Sequence, residues 1–370
     1  MSFLACTPTV FVIGEFYEIL LYANAPGLFS LRIGEELYYE ENSGVLSSER
    51  LFVKIRVPMA ALDAAGSYTV LYRKTVERRS YFSLFEEEEE ASFAFSPVPT
   101  EGDINIYYTA DVHYHFDTAE HTVTYFGDAL HLLIANGDLG EVEKPEDYLD
   151  VCRFLGNATG GRVPVVMARG NHDTRGRLAE QFTDYFPADG KKTYFTVSLP
   201  AFTALVLDCG EDKWDNHAEY GGGHNGAKVY NGTNVFERYR QEELAYLKAL
   251  TLKKDRPVIA ISHICPSMTA KEKDSIFNIE KETYAAWNRE LERLGVDVML
   301  CGHLHKTFVL DRHDERATTD NPYPVLVGSS MVYSGKEIVG TAITLKRDRL
   351  VYRFTDQEHA VREEGEILFD

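Results

Sequence analysis

From residue 104 onward the chain repeats one pattern, and that pattern limits the folds open to it. A short, mostly apolar run is followed by polar residues and then by a stretch with helical spacing. The runs cover residues 104–109, 132–135, 163–168, 204–207, 258–261 and 296–300. Too short for helices, they read as strands buried on both faces of a sheet. Between them, residues 146–155, 176–185, 235–250 and 281–294 show helical periodicity. In the last of these, Tyr284, Trp287, Leu291 and Leu294 share one face and Gly295 supplies the stop. Buried strands alternating with amphipathic helices predict a layered α/β domain. Strands return at 341–345 and 350–354, joined by a charged hairpin connection at Lys346-Arg347-Asp348-Arg349.

The preceding segment reads differently. Short β-rich runs at 9–13, 17–22, 29–33, 51–57, 68–72 and 92–95 are separated by turn signals such as Pro26-Gly27, Asn42-Ser43-Gly44 and Ala65-Gly66. This spacing predicts an all-β, Ig/fibronectin-III-like sandwich. With no Trp and one Cys in the first hundred residues, it is not an antibody-type domain with an inter-sheet disulfide. Tyr68, behind Leu62-Asp63-Ala64-Ala65-Gly66-Ser67, is expected to form a tyrosine corner, bonding back to nearby upstream backbone. The five acids at 86–90 read as a solvated strand edge or hairpin tip. Ser96-Pro97-Val98-Pro99 marks a boundary, so 370 residues divide into a sandwich over 1–98 and an α/β domain over 99–370.

Charge narrows the function. Lys and Arg total 38 against 58 Asp and Glu, a net charge of −20. Such a surface repels polyanions, so sequence-independent nucleic-acid binding is not expected. The five cysteines form no CxxC motif and no regular spacing, which argues against a disulfide framework and fits a reducing compartment. No basic, apolar leader opens the sequence, and no apolar run reaches the roughly 18 residues a membrane span needs. A cytoplasmic protein is the expectation, with oligomeric state left open.

Metal-type side chains stand at or just beyond the C-terminal ends of the apolar runs. Asp111 and His113 follow the first, Asp138 the second, and Asn171, His172 and Asp173 the third. His263 follows the fifth run, and His303 and His305 follow the sixth. In α/β sheets ligands bind beyond the carboxyl ends of strands, so separate segments deliver donors to one region. Singly, each has an ordinary explanation as a turn, a surface pair or a core histidine. All of them at one end of one sheet do not. The long Gly-rich stretch 209–233 is a candidate specificity loop, with His217, Tyr220, His224 and Asn231 as candidate substrate contacts.

In this order, Asp111-x-His113, Gly137-Asp138, Gly170-Asn171-His172-Asp173, His263 and Gly302-His303-x-His305 resemble the motifs of the calcineurin-like metallophosphoesterase superfamily, over about residues 103–306. The resemblance implies a four-layer αββα domain and a dinuclear metal-dependent phosphoesterase acting on phosphomonoesters or phosphodiesters. It implies one metal held by Asp111, His113, Asp138 and His305, and a second by Asp138, Asn171, His263 and His303, with Asp138 bridging. Mixed oxygen and nitrogen donors suit Mn, Fe or Zn better than Ca. By the same resemblance a metal-bridging hydroxide attacks phosphorus, and His172 binds a phosphoryl oxygen or protonates the leaving group, oriented by Asp173. Arg175 is placed to hold a phosphate oxygen or to start a helix. Cys265 and Cys301 are expected in the core.

The order of sandwich and phosphoesterase domain is similar to purple acid phosphatases, with two departures. Those proteins begin Asp-x-Gly where this chain has Asp111-Val112-His113, and they carry an iron-binding Tyr where this chain has Glu141. An acid phosphatase of that kind and a non-catalytic scaffold on the same fold remain the alternative readings. The expected partner is a small phosphate ester, which the acidic surface does not exclude. Two divalent metals with Asp111 and Asp138 leave the pocket at about +2.

Overall fold

The computed structural model describes residues 3–218, 225–228, 230–273, 275–332 and 335–369. In chain order the elements are β1 (Thr9–Ile13), β2 (Phe16–Tyr22), β3 (Gly27–Ile33), β4 (Glu36–Tyr38), β5 (Phe52–Pro58), α1 (Met59–Ala65), β6 (Ser67–Glu77), β7 (Leu84–Phe85) and β8 (Glu89–Ala94). There follow β9 (Ile104–Thr109), α2 (Phe116–Val123), β10 (Leu132–Asn136), α3 (Pro145–Thr159), β11 (Pro164–Ala168), α4 (Phe182–Tyr185), β12 (Phe195–Ser198), β13 (Thr203–Leu207), α5 (Phe236–Ala249) and β14 (Val258–Ser262). The chain ends with α6 (Lys281–Leu294), β15 (Val298–Cys301), β16 (Lys306–Leu310), β17 (Val325–Met331), β18 (Ile338–Leu345), β19 (Arg349–Asp356) and β20 (Val361–Leu368).

Two strand layers face each other. One runs β18-β9-β10-β11-β1-β2-β5, the other β12-β13-β14-β15-β17, and β17 hands over to β18 at Ser330 and Met331. The central strands are parallel and alternate their side chains between two cores. Ile134 of β10, Ile261 of β14 and Leu300 of β15 point into the space between the layers. Leu133 packs outward with α2 and α3, and Ala260 and Met299 pack outward with α5 and α6. This is the expected αββα arrangement, and it explains why the strand sequences are apolar throughout rather than alternating.

The N-terminal strands also form two leaves, but one leaf belongs to the central sheet. β3, β4, β6, β7 and β8 make a separate five-stranded sheet. β1 instead pairs in parallel with β11, matching Val10 to Pro164 and Phe11 to Val165, and carries β2 and β5 with it. One apolar cluster runs from Leu31 and Val70 through Val12 and Ile19 to Ile106 and Val166. Residues 1–98 and 99–370 therefore share both backbone hydrogen bonds and a core.

Two local expectations are corrected. Tyr68 forms no tyrosine corner: its hydroxyl donates to Gly161 O at 2.9 Å, across 93 residues, because the upstream segment is taken up by α1. The helix expected over 176–185 is confined to a 3-10 turn and the single-turn α4. Gly176 sits at φ +88° against the backbone of Val142, and Leu178 N donates to Val142 O at 3.1 Å, which holds the first residues out of a helix. The acids at 86–90 are exposed as expected, with Glu86 paired to Lys74 at 2.9 Å and Glu90 to Arg32 at 2.9 Å. Cys265 and Cys301 are buried core thiols. Among the described residues no helix is long and apolar enough to cross a membrane.

Candidate metal centre

The loops leaving β9, β10, β11, β14 and β15 converge at one end of the facing layers. Asp111, His113, Asp138, His303 and His305 all adopt positive φ, between +45° and +67°. Side chains other than glycine rarely occupy that region, and such strain concentrates at functional sites. It turns each chain sharply off its strand end and aims the side chain at the neighbouring loop. The loops also touch backbone to backbone. A Cβ on Gly170 would collide with Asp138 Oδ1, and one on Gly302 would stand 2.9 Å from Asp111 Oδ2. The glycines in these motifs are there for closeness.

The side chains divide into groups that could each hold an ion. Asp111, His113 and His305 form one, and Asp138, His263 and His303 form another, each with its donor atoms within 4.8 Å of one another. A third, His113, Asp138 and His172, shares one residue with each of them. Asn171 completes the second set, with Oδ1 3.0 Å from His303 Nδ1. His113 Nε2 and His305 Nε2 are 3.3 Å apart, and His305 Nε2 is 3.4 Å from Asp111 Oδ1. His263 Nε2 is 3.0 Å from Asp138 Oδ2, yet it is buried without a hydrogen bond of good geometry. All seven residues that the sequence marks as ligands are thus brought together.

Electrostatics favour cations here. Burial pushes the imidazoles of His113 and His303 down to about 3 and that of His305 to about 4, keeping them neutral and able to donate a lone pair. Burial raises Asp111 to about 7, with the Asp138 charge adding to it. Burial also opposes ionisation of Asp138, but His263, His172 and His113 outweigh it and hold this carboxyl below its ordinary range. For His263 burial opposes protonation, and Asp138 overcomes it, lifting the imidazole to about 10. Buried carboxylates, neutral imidazoles and an unbonded Nε2 fit two divalent cations with mixed oxygen and nitrogen donors.

Supporting residues fix this geometry, and sequence reasoning missed several. Asn136 Nδ2 donates to Tyr108 Oη at 2.8 Å, Ser262 O at 3.1 Å and Leu300 O at 3.3 Å, tying the two layers together directly below the centre. Its backbone oxygen is 2.6 Å from His263 Nδ1, which leaves Nε2 for the site. Arg169 pairs with buried Asp208, at 2.7 Å from Oδ2, and anchors the start of the Gly170-Asn171-His172 turn.

The surroundings of His172 differ from expectation. Asp173 does not touch the imidazole. Its Oδ2 accepts the backbone N–H groups of Gly170 at 2.8 Å and Asp138 at 2.9 Å, so it braces two ligand loops. The carboxylate on His172 is Glu141, whose Oε1 lies 2.5 Å from Nδ1. The only sequence signal for this was an acid three residues beyond Asp138.

Arg175 starts no helix. Its guanidinium forks onto Glu211, with contacts of 2.5 and 2.7 Å, bonds Asp212 at 3.0 Å, and puts Nη1 3.0 Å from His172 Nε2. Buried Arg240 holds this strap in turn, through the carbonyls of Cys209 and Glu211. Among its described residues, the stretch 209–233 thus meets the centre through Glu211 and Asp212, by way of Arg175, rather than through His217 or Asn231. His217 packs near Tyr230 and Phe277, with ring centroids 6.3 and 6.1 Å away, and Asn231 is exposed. Tyr220 and His224 lie outside the described residues.

Comparison with known proteins agrees with this fold. The purple acid phosphatase PPD1 from yellow lupin (Lupinus luteus) superposes with a TM-score of 0.59 at 11% identity, covering 98% of this chain and 74% of that one. A structure of PhoD gives 0.58 at 9% identity, covering 98% and 90%. At such identities these likenesses establish the fold. No curated protein sequence matches the chain. The family model of calcineurin-like phosphoesterases matches residues 104–307, more than half of the chain and every loop of the centre, so the protein belongs to the calcineurin-like phosphoesterase family.

Proposed function

We propose that the protein is a dinuclear metal-dependent hydrolase of phosphomonoesters or phosphodiesters. The observation that carries this reading is two adjacent ligand groups, Asp111 with His113 and His305, and Asp138 with His263 and His303, linked where His113 Nε2 stands 3.8 Å from Asp138 Oδ2. Asp111, His113, Asp138 and His305 would hold one ion, and Asp138, Asn171, His263 and His303 the other. Two such ions lower the pKa of water and neutralise charge building up on a phosphoryl group. Asp138 would be the carboxylate shared between them. His172 reaches the centre from the side, its ring 4.7 Å from that of His113 and its backbone N–H on Asp138 Oδ1 at 2.7 Å. With Glu141 accepting the Nδ1 proton, Nε2, which Arg175 Nη1 approaches at 3.0 Å, is the nitrogen that would exchange that contact for a phosphoryl or leaving-group oxygen.

A panel of aryl phosphates, bis-aryl phosphates, nucleotides, cyclic nucleotides and phospholipid head groups, assayed with Mn2+, tests the proposal. Hydrolysis of at least one class, together with two metals per chain, is expected. Two bound metals with no hydrolysis anywhere would favour a scaffold role instead.

A further inference from the structure

Beside His305 the chain builds a second feature. Lys306 follows it directly, and Ser330 Oγ donates to the His305 backbone oxygen at 3.1 Å. With Lys271, Arg316, Met268 and Phe308 they line a cavity of about 520 Å³. That size lies within the range of small-molecule sites, roughly 300–1,000 Å³. The lining carries three cations and no acid, in a chain with 58 acidic residues against 38 basic. A larger cavity of about 900 Å³, at the opposite strand ends near Ile104 and Val258, offsets five cations with four acids and has no such bias.

The three cations differ in freedom. Arg316 is held by Asp314 at 2.7 and 2.9 Å and lies over the Phe308 ring at 5.6 Å, so its charge is partly neutralised. Lys271 and Lys306 are exposed, and among the described residues no ion pair engages either. Phe308 and Met268 supply the apolar part of the lining.

We infer that this cavity is a substrate subsite, selecting phosphate esters whose alcohol part carries a second anionic group on an apolar body. The inference rests on the phosphoesterase reading. The ester phosphate would take the metal centre, the apolar body would lie on Phe308 and Met268, and the second anion would meet Lys271 and Lys306 in charge-assisted hydrogen bonds.

Calorimetric titration of the full, Mn2+-supplied chain with non-hydrolysable probes tests it. Phenylphosphonate is the reference; 4-carboxyphenylphosphonate and 1,4-phenylenebisphosphonate carry the second anion. At least one of the two should bind about tenfold tighter than the reference, and which one gains more tells a carboxylate site from a phosphate site. The advantage should vanish in the Lys271→Gln/Lys306→Gln double variant and persist in the Lys271→Arg/Lys306→Arg one. Equal affinities, no binding, or an advantage that survives the glutamines would overturn the inference. Selective binding with no turnover of the matching aryl phosphates would instead overturn the phosphoesterase reading alone.

Discussion

Glu141 Oε1 and His172 Nδ1 stand 2.5 Å apart, while Arg175 Nη1 faces the other nitrogen of the same ring at 3.0 Å. One carboxylate and one guanidinium therefore fix both the plane of the imidazole and its tautomer, with the proton on Nδ1. The acid next to it in sequence, Asp173, serves backbone amides instead.

His172 also lies within ion-holding reach of His113 and Asp138, so metal analysis must accompany kinetics. In His172→Ala the metal content should stay at two per chain while kcat falls by about 10²–10⁴-fold, the scale of a lost general acid. Glu141→Ala should cost less, roughly 10–100-fold in kcat with little change in KM, as expected for a partner that only orients a working imidazole. Glu141→Gln, which keeps an acceptor, should recover part of it. Loss of one metal in His172→Ala would make His172 a ligand instead.

Metal uptake should release protons. His113, His303 and His305 are already neutral near pH 6, since burial holds them at about 3 to 4. Asp111, raised by burial to about 7, and His263, lifted by Asp138 to about 10, are protonated there and must deprotonate to bind a cation. About two protons should leave per chain at pH 6, and metal affinity should rise with pH as Asp111 ionises. Titration in buffers of different ionisation enthalpy measures the number. Release of none would mean that these two groups are not ligands.

The sequence signals differ in how far they reach. Strands such as the run 132–135 are legible because every residue is apolar, the mark of burial on two faces, and the donors at their ends are legible as polar residues with no other reason to cluster. What stays hidden depends on contacts distant in sequence. Asn136 reads as an ordinary turn residue before Gly137, yet its amide joins strands 126 and 164 residues away. Glu141 meets His172 only because two loops fold over each other. β1 carried a readable clue: Thr9–Ile13 is an unbroken apolar run after its Thr, like the parallel strands, and all five positions are buried, whereas Gly27–Ile33 alternates in burial as a sandwich strand does.

Iron should not colour this protein strongly. Purple acid phosphatases owe their colour to a tyrosinate on iron, and the position three residues after Asp138 holds Glu141, which is engaged by His172. A carboxylate gives no intense charge-transfer band in the middle of the visible range. Visible absorption of the iron-loaded protein, with metal content measured in parallel, checks this. A strong band there would require a phenolate ligand from elsewhere, and Tyr114, whose ring borders Gly140, would be the first to substitute.

Unfolding should be a single cooperative event, despite the change of sequence character near residue 98. β1 is hydrogen-bonded to β11, Lys54 donates to Thr183 O at 2.9 Å and Phe186 O at 2.6 Å, and Tyr68 donates to Gly161 O. Removing residues 1–98 would bare the edge of β11 and open one face of the cluster that holds Ile106 and Val166. An exposed apolar edge strand of that kind promotes aggregation. Calorimetry of the full chain should therefore give one transition with matching calorimetric and van't Hoff enthalpies, and residues 99–370 alone should be insoluble or loosely packed. Tyr68→Phe, which strips one buried hydrogen bond from this seam, should lower stability by about 1 kcal/mol without splitting the transition. Two resolved transitions in the full chain would instead mean that the N-terminal strands fold as a separate unit and that the pairing of β1 with β11 adds little to their coupling.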